Sequence, residues 1–388
     1  MTHVPVTHIT SDAERARRYT ALREAMADAG MDAFVICSRG DEFVRGRVQY
    51  VSDIFQWAGR GFVVFPMKGE ATFVTDPLWG TGYAMQGMWL NDYRQPDDAG
   101  TEIGAILSDH GLASGTIGIV GLADITSVAD YNSMKNALPS ANWVDATDLF
   151  DDVRAIKSQE EIDSTIETGN IMRRVFNALE AEIRPGVQEV DVLSEAHRLS
   201  RQLGCMEGIA LMGRAPFSCF GPGTRGVIEK DDVMVIDLEW GGPLGYWVEV
   251  RRVYSFNPPN DEQKAFWEMR VESFEACVQA MKAGENSDTV LDARDRVYDK
   301  YGYDARDANS YTAHGIGIDS LEPPWVPGKP RLMEENMMIN LHPAIGGFSD
   351  AETGARLGGI SIADNVLVGP DGGIRMVDQT DEWIVLDA

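Results

Sequence analysis

Residues 231–256, DDVMVIDLEWGGPLGYWVEVRRVYSF, decide how this chain is read. Two apolar runs, VMVIDLEW and YWVEVRRVYSF, flank the turn-forming cluster GGPLG, so the spacing predicts two strands joined as a hairpin. Each strand carries an acid inside its apolar run. Asp237 follows VMVI, where a carboxylate is costly to bury unless it is paired or used. On the second strand Glu249 shares a face with Trp247 and Arg251, while Val248, Val250 and Arg252 take the other. Glu249 therefore reads either as one half of a strand ion pair with an arginine or as a functional acid.

Working outward from the hairpin, the stretch DVRAIKSQEEIDSTIETGNIMRRVFNALEAEIRPG opens a long amphipathic helix, with Ser158 and Glu161 forming an S-x-x-E capping box. VDVLSEAHRLSRQLG gives a second helix, and two more follow the hairpin in DEQKAFWEMRVESFEACVQAMKAG and SDTVLDARDRVYDKYG. NMMINLHPAI and ISIADNVLV read as later strands. Helices and strands fall in separate runs, the pattern of an α+β domain. The first half alternates instead. A helix capped by Ser11 and stopped at Gly30 precedes the strands DAFVIC, RVQYVSD, RGFVVFP and EATFVT. Then come helix EIGAILSDHG, strand GTIGIVGL, helix ITSVADYNSMKNAL and strand NWVDAT, an α/β order. A chain of 388 residues exceeds what one core usually holds, and the break near DVRAIK divides it into domains 1–152 and 153–388.

The net charge of −27 repels phosphate backbones and anionic membranes, so neither nucleic acid nor membrane is an expected partner. Four cysteines, Cys37, Cys205, Cys219 and Cys277, are too widely spaced for a CxxC zinc pair or a disulfide framework. The N-terminal stretch has no apolar h-region and no apolar run reaches membrane length, so a cytoplasmic protein acting on a small molecule is expected. Of six histidines, His314 in YTAHGIGID and His342 in INLHPAIG lie beside glycine or proline at the ends of ordered elements, where function tends to concentrate. His3 and His8 lie near the N-terminus, His110 closes a helix before Gly111, and His197 sits on a charged helix.

Together these motifs resemble the creatinase, prolidase and aminopeptidase P superfamily, with its peptidase family M24-like, pita-bread fold. VRAIKSQEEI looks like the start of the family's catalytic domain, AHGIGIDSLEPPW like its histidine loop, and ENMMINLHPAI and GGISIADNVLV like its last two metal-bearing strands. The resemblance spans essentially the whole chain. It implies an α/β creatinase-like N-terminal domain and an α+β pita-bread catalytic domain. Peptidases of this fold hold two divalent metals with Asp, Asp, His, Glu and Glu. On the matching positions this chain has Asp237, Glu249, His314, His342 and Ala363, and Leu321 where the peptidases carry a second histidine. Alanine cannot bridge metals, so the resemblance implies a divergent member lacking the full dinuclear ligand set.

Two rebuilt sites are then open. In the first, which the lost bridging carboxylate favours, no metal is bound. His314, His342, Glu249 and Asp237 carry acid–base chemistry on a C–N bond of a small carboxylate-bearing substrate, as in the metal-free relatives creatinase and ectoine hydrolase. In the second, Glu249, His314 and His342, with Asp237 as a fourth ligand or partner, hold one Fe, Zn or Mn ion in a hydrolase or lyase. On either reading peptidase activity is expected to be absent; a non-catalytic binding protein of the same fold is the third reading. The family resemblance further implies a homodimer whose N-terminal domain completes the neighbour's site, with Arg60 gripping a substrate carboxylate and Trp57 stacking beside it. Arg252 and Trp325 complete the expected substrate-binding set.

Overall fold

Ser11 ends an extended stretch and accepts a hydrogen bond from the Glu14 backbone, which starts helix α1 (Asp12–Asp28). The computed structural model describes residues 10–75, 89–217, 220–303, 312–323, 325, 328–345, 348–377 and 381–387. It divides into two units, Met1–Ala155 and Ile156–Ala388. His3, His8 and Cys219 lie outside the described residues.

In the first unit α1 is followed by β1 (Ala33–Arg39), α2 (Gly46–Ser52), β2 (Arg60–Pro66), β3 (Thr72–Thr75), β4 (Asp92–Arg94) and α3 (Ala99–Asp109). Strand β5 (Thr116–Val120), α4 (Val128–Ala137), β6 (Asn142–Asp145) and α5 (Thr147–Ala155) complete it. The strands make one sheet in the order β4-β3-β2-β1-β5-β6. β1 runs antiparallel to β2 and parallel to β5, so the sheet is mixed. Val35, Phe62, Val64, Ile103, Leu107 and Ile119 belong to its core. The expected strand RVQYVSD is corrected, because Gly46–Ser52 is helical and every one of its residues is buried. Valine and tyrosine favour strands only where a ladder accepts them. Here the helix ends at Asp53, which takes a left-handed conformation with φ 57°. Its carboxylate accepts bonds from the Thr10 backbone and hydroxyl at 2.9 and 2.7 Å.

The second unit opens with α6 (Gln159–Leu179), whose Ser158/Glu161 capping box forms as the sequence predicts. Next come α7 (Glu189–Gln202), β7 (Glu207–Arg214), the hairpin strands β8 (Val233–Gly241) and β9 (Trp247–Ser255), α8 (Asp261–Ala280) and α9 (Asp288–Tyr301). Strands β10 (Ala313–Gly315) and β11 (Met338–Leu341), helix α10 (Ala351–Leu357), then β12 (Asp364–Leu367), β13 (Ile374–Arg375) and β14 (Ile384–Val385) close the chain. Two four-stranded sheets result, β14-β9-β8-β7 and β10-β11-β12-β13. Ile236, Leu238, Val248 and Val250 share one core with Met172, Val175, Phe176 and Leu179 of α6. The period of two along each strand then turns Asp237, Glu239, Glu249 and Arg251 to the opposite face.

Two asparagines pin that opposite face to the second sheet. Asn340 donates to the Glu249 carbonyl at 3.0 Å, and the Asn365 carbonyl oxygen accepts from the Glu249 N–H at 3.1 Å. Asn340 also donates to Asn365 Oδ1, and Asn365 to the Trp247 carbonyl, each at 3.1 Å. Both asparagines are fully buried and face each other across β11 and β12. Asn365 uses its amide oxygen and nitrogen to hold β9, and Asn340 uses its amide nitrogen, while Asn340 Oδ1 has no hydrogen-bond partner among the described residues.

Candidate metal centre

The hairpin register places Asp237 opposite Arg251 and Glu239 opposite Glu249. Arg251 lies between two of these acids: Nε donates to Asp237 Oδ2 at 2.7 Å and Nη2 to Glu249 Oε1 at 2.8 Å. Its guanidinium also lies 5.3 Å from the Phe220 ring centre. The ion pair between Glu249 and an arginine therefore exists, and Glu249 serves it with one oxygen while the other faces His314. Behind Arg251 the main chains of β9 and the β12 approach touch, the Arg251 N–H donating to the Ala363 carbonyl at 3.3 Å.

His314 sits in β10, a strand continued by a glycine-rich loop that a buried pair, Lys157 and Glu322 at 2.8 Å, ties to the start of α6. Its Nδ1 lies 2.8 Å from the Gly315 carbonyl, which can only accept, so Nδ1 carries the proton and Nε2 offers a lone pair. Nε2 is 3.4 Å from Glu249 Oε2. His342 follows the last residue of β11, and its backbone N–H donates to the Thr312 carbonyl at 2.9 Å. The two imidazoles stand 5.2 Å apart, centre to centre. One donor atom from each of Glu249, His314 and His342 falls within 4.8 Å of the others. Asp237, Glu239 and Glu249 satisfy the same condition as a second group.

Burial sets the protonation of these groups. Lack of water pushes the His342 imidazole down to about 3, although Glu249 pulls the other way, so it is neutral and free to donate. The Glu249 carboxyl is held at about 2: burial raises it, and Arg251 and the histidines more than offset that. Burial pushes Asp237 up to about 7 against the pull of Arg251. Glu239 rises to about 9 through burial and its acidic neighbours, with the Ser320 hydroxyl donating to Oε2 at 2.7 Å. Asp237 Oδ1 is buried with no hydrogen-bond partner among the described residues. The Glu249 carboxylate, the His342 imidazole and His314 Nε2 are a donor set that fits one divalent ion of the Fe, Zn or Mn kind.

The structure thus brings Glu249, His314, His342 and Asp237 together on the two sheets of the second unit. The other expected residues are placed as follows. Arg252 is corrected: it points to the core face, where it donates to Glu180 at 3.0 Å and lies over the Phe176 ring. Trp325 is buried at 3% exposure, and its backbone N–H donates to the Ala313 carbonyl at 2.9 Å, beside His314. In the first unit Arg60 is ion-paired with Asp130, and Trp57 is 55% exposed. Sequence reasoning missed Glu239, Ser320, Asn340 and Asn365. For Glu239 a signal existed, since it stands two residues from Asp237 and must share its strand face.

Two known protein families match the chain. The profile of Metallopeptidase family M24 matches residues 164–370, and that of the Creatinase/Prolidase N-terminal domain matches residues 18–156. Probable dipeptidase PepE of Mycobacterium tuberculosis is 26% identical over 96% of both chains. Xaa-Pro dipeptidase of Pyrococcus furiosus is 26% identical over 67% of this chain and 73% of its own. The crystal structure of dipeptidase PepE from Mycobacterium ulcerans superposes with a TM-score of 0.81 at 22% identity, covering 98% of this chain and 100% of that one. The creatinase-like N-terminal domain and pita-bread catalytic domain are thereby established. Two expectations are overturned. A non-peptidase hydrolase with peptidase activity absent conflicts with relatives named as dipeptidases, matched over 67% and 96% of this chain. A preference for no metal conflicts with a metallopeptidase family and with donor groups able to hold an ion.

Proposed function

We infer, from the premise that this chain belongs to Metallopeptidase family M24, that it is a metal-dependent peptidase acting on short peptides of the dipeptide class. The observation that carries this reading is the convergence of Glu249, His314 and His342, with donor atoms within 4.8 Å of one another. These three residues would hold one Fe, Zn or Mn ion. A bound ion of this kind supplies a Lewis acid that polarises a carbonyl and activates water. The chain's own residues do the rest. Gly315 fixes the His314 tautomer that presents Nε2. Asn340 and Asn365 hold the Glu249 backbone. Asp237 and Glu239, both shifted toward their neutral forms, keep the acidic face from carrying three negative charges.

The test is hydrolysis of a panel of dipeptides, Xaa-Pro dipeptides included, by protein purified without chelator. Cleavage is expected, with loss on chelation and recovery with Mn(II), Zn(II) or Fe(II). Glu249→Ala and His342→Ala are each expected to lose bound metal in plasma mass spectrometry and at least ~100-fold in turnover. Full activity in chelated protein, or metal retained by both variants, would refute the reading. A dimer belongs to the same proposal, supported by the exposed Trp57 ring on the N-terminal unit, and sedimentation at the mass of one chain would remove it.

A further inference from the structure

Asp237, Glu239 and Glu249 form a second group whose donor atoms lie within 4.8 Å of one another. Carboxyl groups that close are relieved by a shared proton or by a cation. Asp237, 1% exposed, keeps Oδ1 without a partner among the described residues, the mark of an oxygen prepared for a ligand. Yet the group already contains a cation. Arg251 reaches Asp237 through Nε and Glu249 through Nη2 at 2.7 and 2.8 Å, the spacing of charge-assisted bonds. Its position is held at several points. The backbone N–H is bonded to Ala363, the guanidinium lies over Phe220, and the side chain is 17% exposed. The residue facing it across the strands is Ala363, which offers no oxygen beyond its main chain.

We propose that Arg251 is the resident second cation of this centre: its guanidinium occupies the Asp237–Glu239–Glu249 carboxylate group and limits the chain to a single metal ion, held by Glu249, His314 and His342. The inference deepens the metallopeptidase reading and rests on it for that one ion. A guanidinium supplies positive charge to Asp237 and Glu249 and cannot be removed by chelators. It also leaves Glu249 one oxygen for the histidine side. Removing Arg251 should therefore open the carboxylate group to a second ion.

The test counts ions. Chelator-stripped protein is titrated with Mn(II) alone by calorimetry, then gel-filtered and analysed by plasma mass spectrometry. The natural chain is expected to bind one Mn(II), Arg251→Gln two, and Arg251→Gln with Glu239→Gln one again. Arg251→Lys, which keeps a positive charge, is expected to remain at one. Two ions in the natural chain would overturn the inference and leave the metallopeptidase reading standing. No ion in the natural chain would overturn both. A folded Arg251→Gln that still binds one ion would also overturn it. Should that variant fail to fold, the counts for the natural chain and Arg251→Lys decide, since two ions in either contradict the proposal.

Discussion

Glu239 and His342 are shifted by the same burial in opposite pH senses. The Glu239 carboxyl, raised to about 9 in the folded chain, binds more protons there than in the unfolded chain, where it titrates near 4.5. Its contribution is full below about pH 4.5 and is lost as pH rises toward 9. In chelated protein, Glu239→Gln is expected to raise Tm at pH 8, by roughly 2–4 °C per kcal/mol recovered, and to leave it unchanged at pH 4. An equal gain at both values in scanning fluorimetry would mean that the acid is ionised in the fold. His342, lowered to about 3 from 6.5, behaves in the opposite way. The unfolded chain takes up the proton first, so stability present above 6.5 is lost as pH falls toward 3. His342→Gln is expected to flatten that acid limb of the Tm profile in the same chelated protein.

At the scale of elements, the hairpin and the two sheets are held in register by backbone bonds and by the asparagine pair. Each bond from Asn365 satisfies a buried main-chain group of β9, and losing one leaves that group unpaired at a cost of about 1–3 kcal/mol. Asn365→Ala is expected to lower stability by that order and to weaken Mn(II) binding, because Glu249 loses its tether. Calorimetry that shows lower Tm with unchanged Mn(II) affinity would separate packing from positioning. The hairpin itself was legible because two apolar runs around GGPLG admit few other structures. So was the acid face, since alternation alone groups 237 with 239 and 249 with 251. Arg252 shows where expectation went wrong: alternation already puts it opposite Glu249, and the structure follows the alternation. The asparagines were illegible, because a polar residue within NMMINLHP declares no partner until distant strands meet. Helix α2 was misread for a related reason: tertiary burial, not residue preference, decided it.

For the molecule as a whole, the charge of −27 acts on stability through self-repulsion. Raising salt from ~0.1 M to ~1 M shortens the Debye length from ~10 Å to ~3 Å, and Tm is expected to climb across that range. A falling Tm would mean that exposed pairs such as Lys300–Glu272 matter more than the net charge. Among the described residues no helix is long and apolar enough to cross a membrane.

The contact between Arg251 and Ala363 also couples the two positions. Arg251 in β9 is the main-chain neighbour of Ala363, which just precedes β12. A glutamate placed at 363 would set a further acid beside the guanidinium. Removing Arg251 would take the counter-charge from Asp237 and Glu249. A substitution at either position therefore changes the charge that the other faces, and variants at the two are expected to be non-additive.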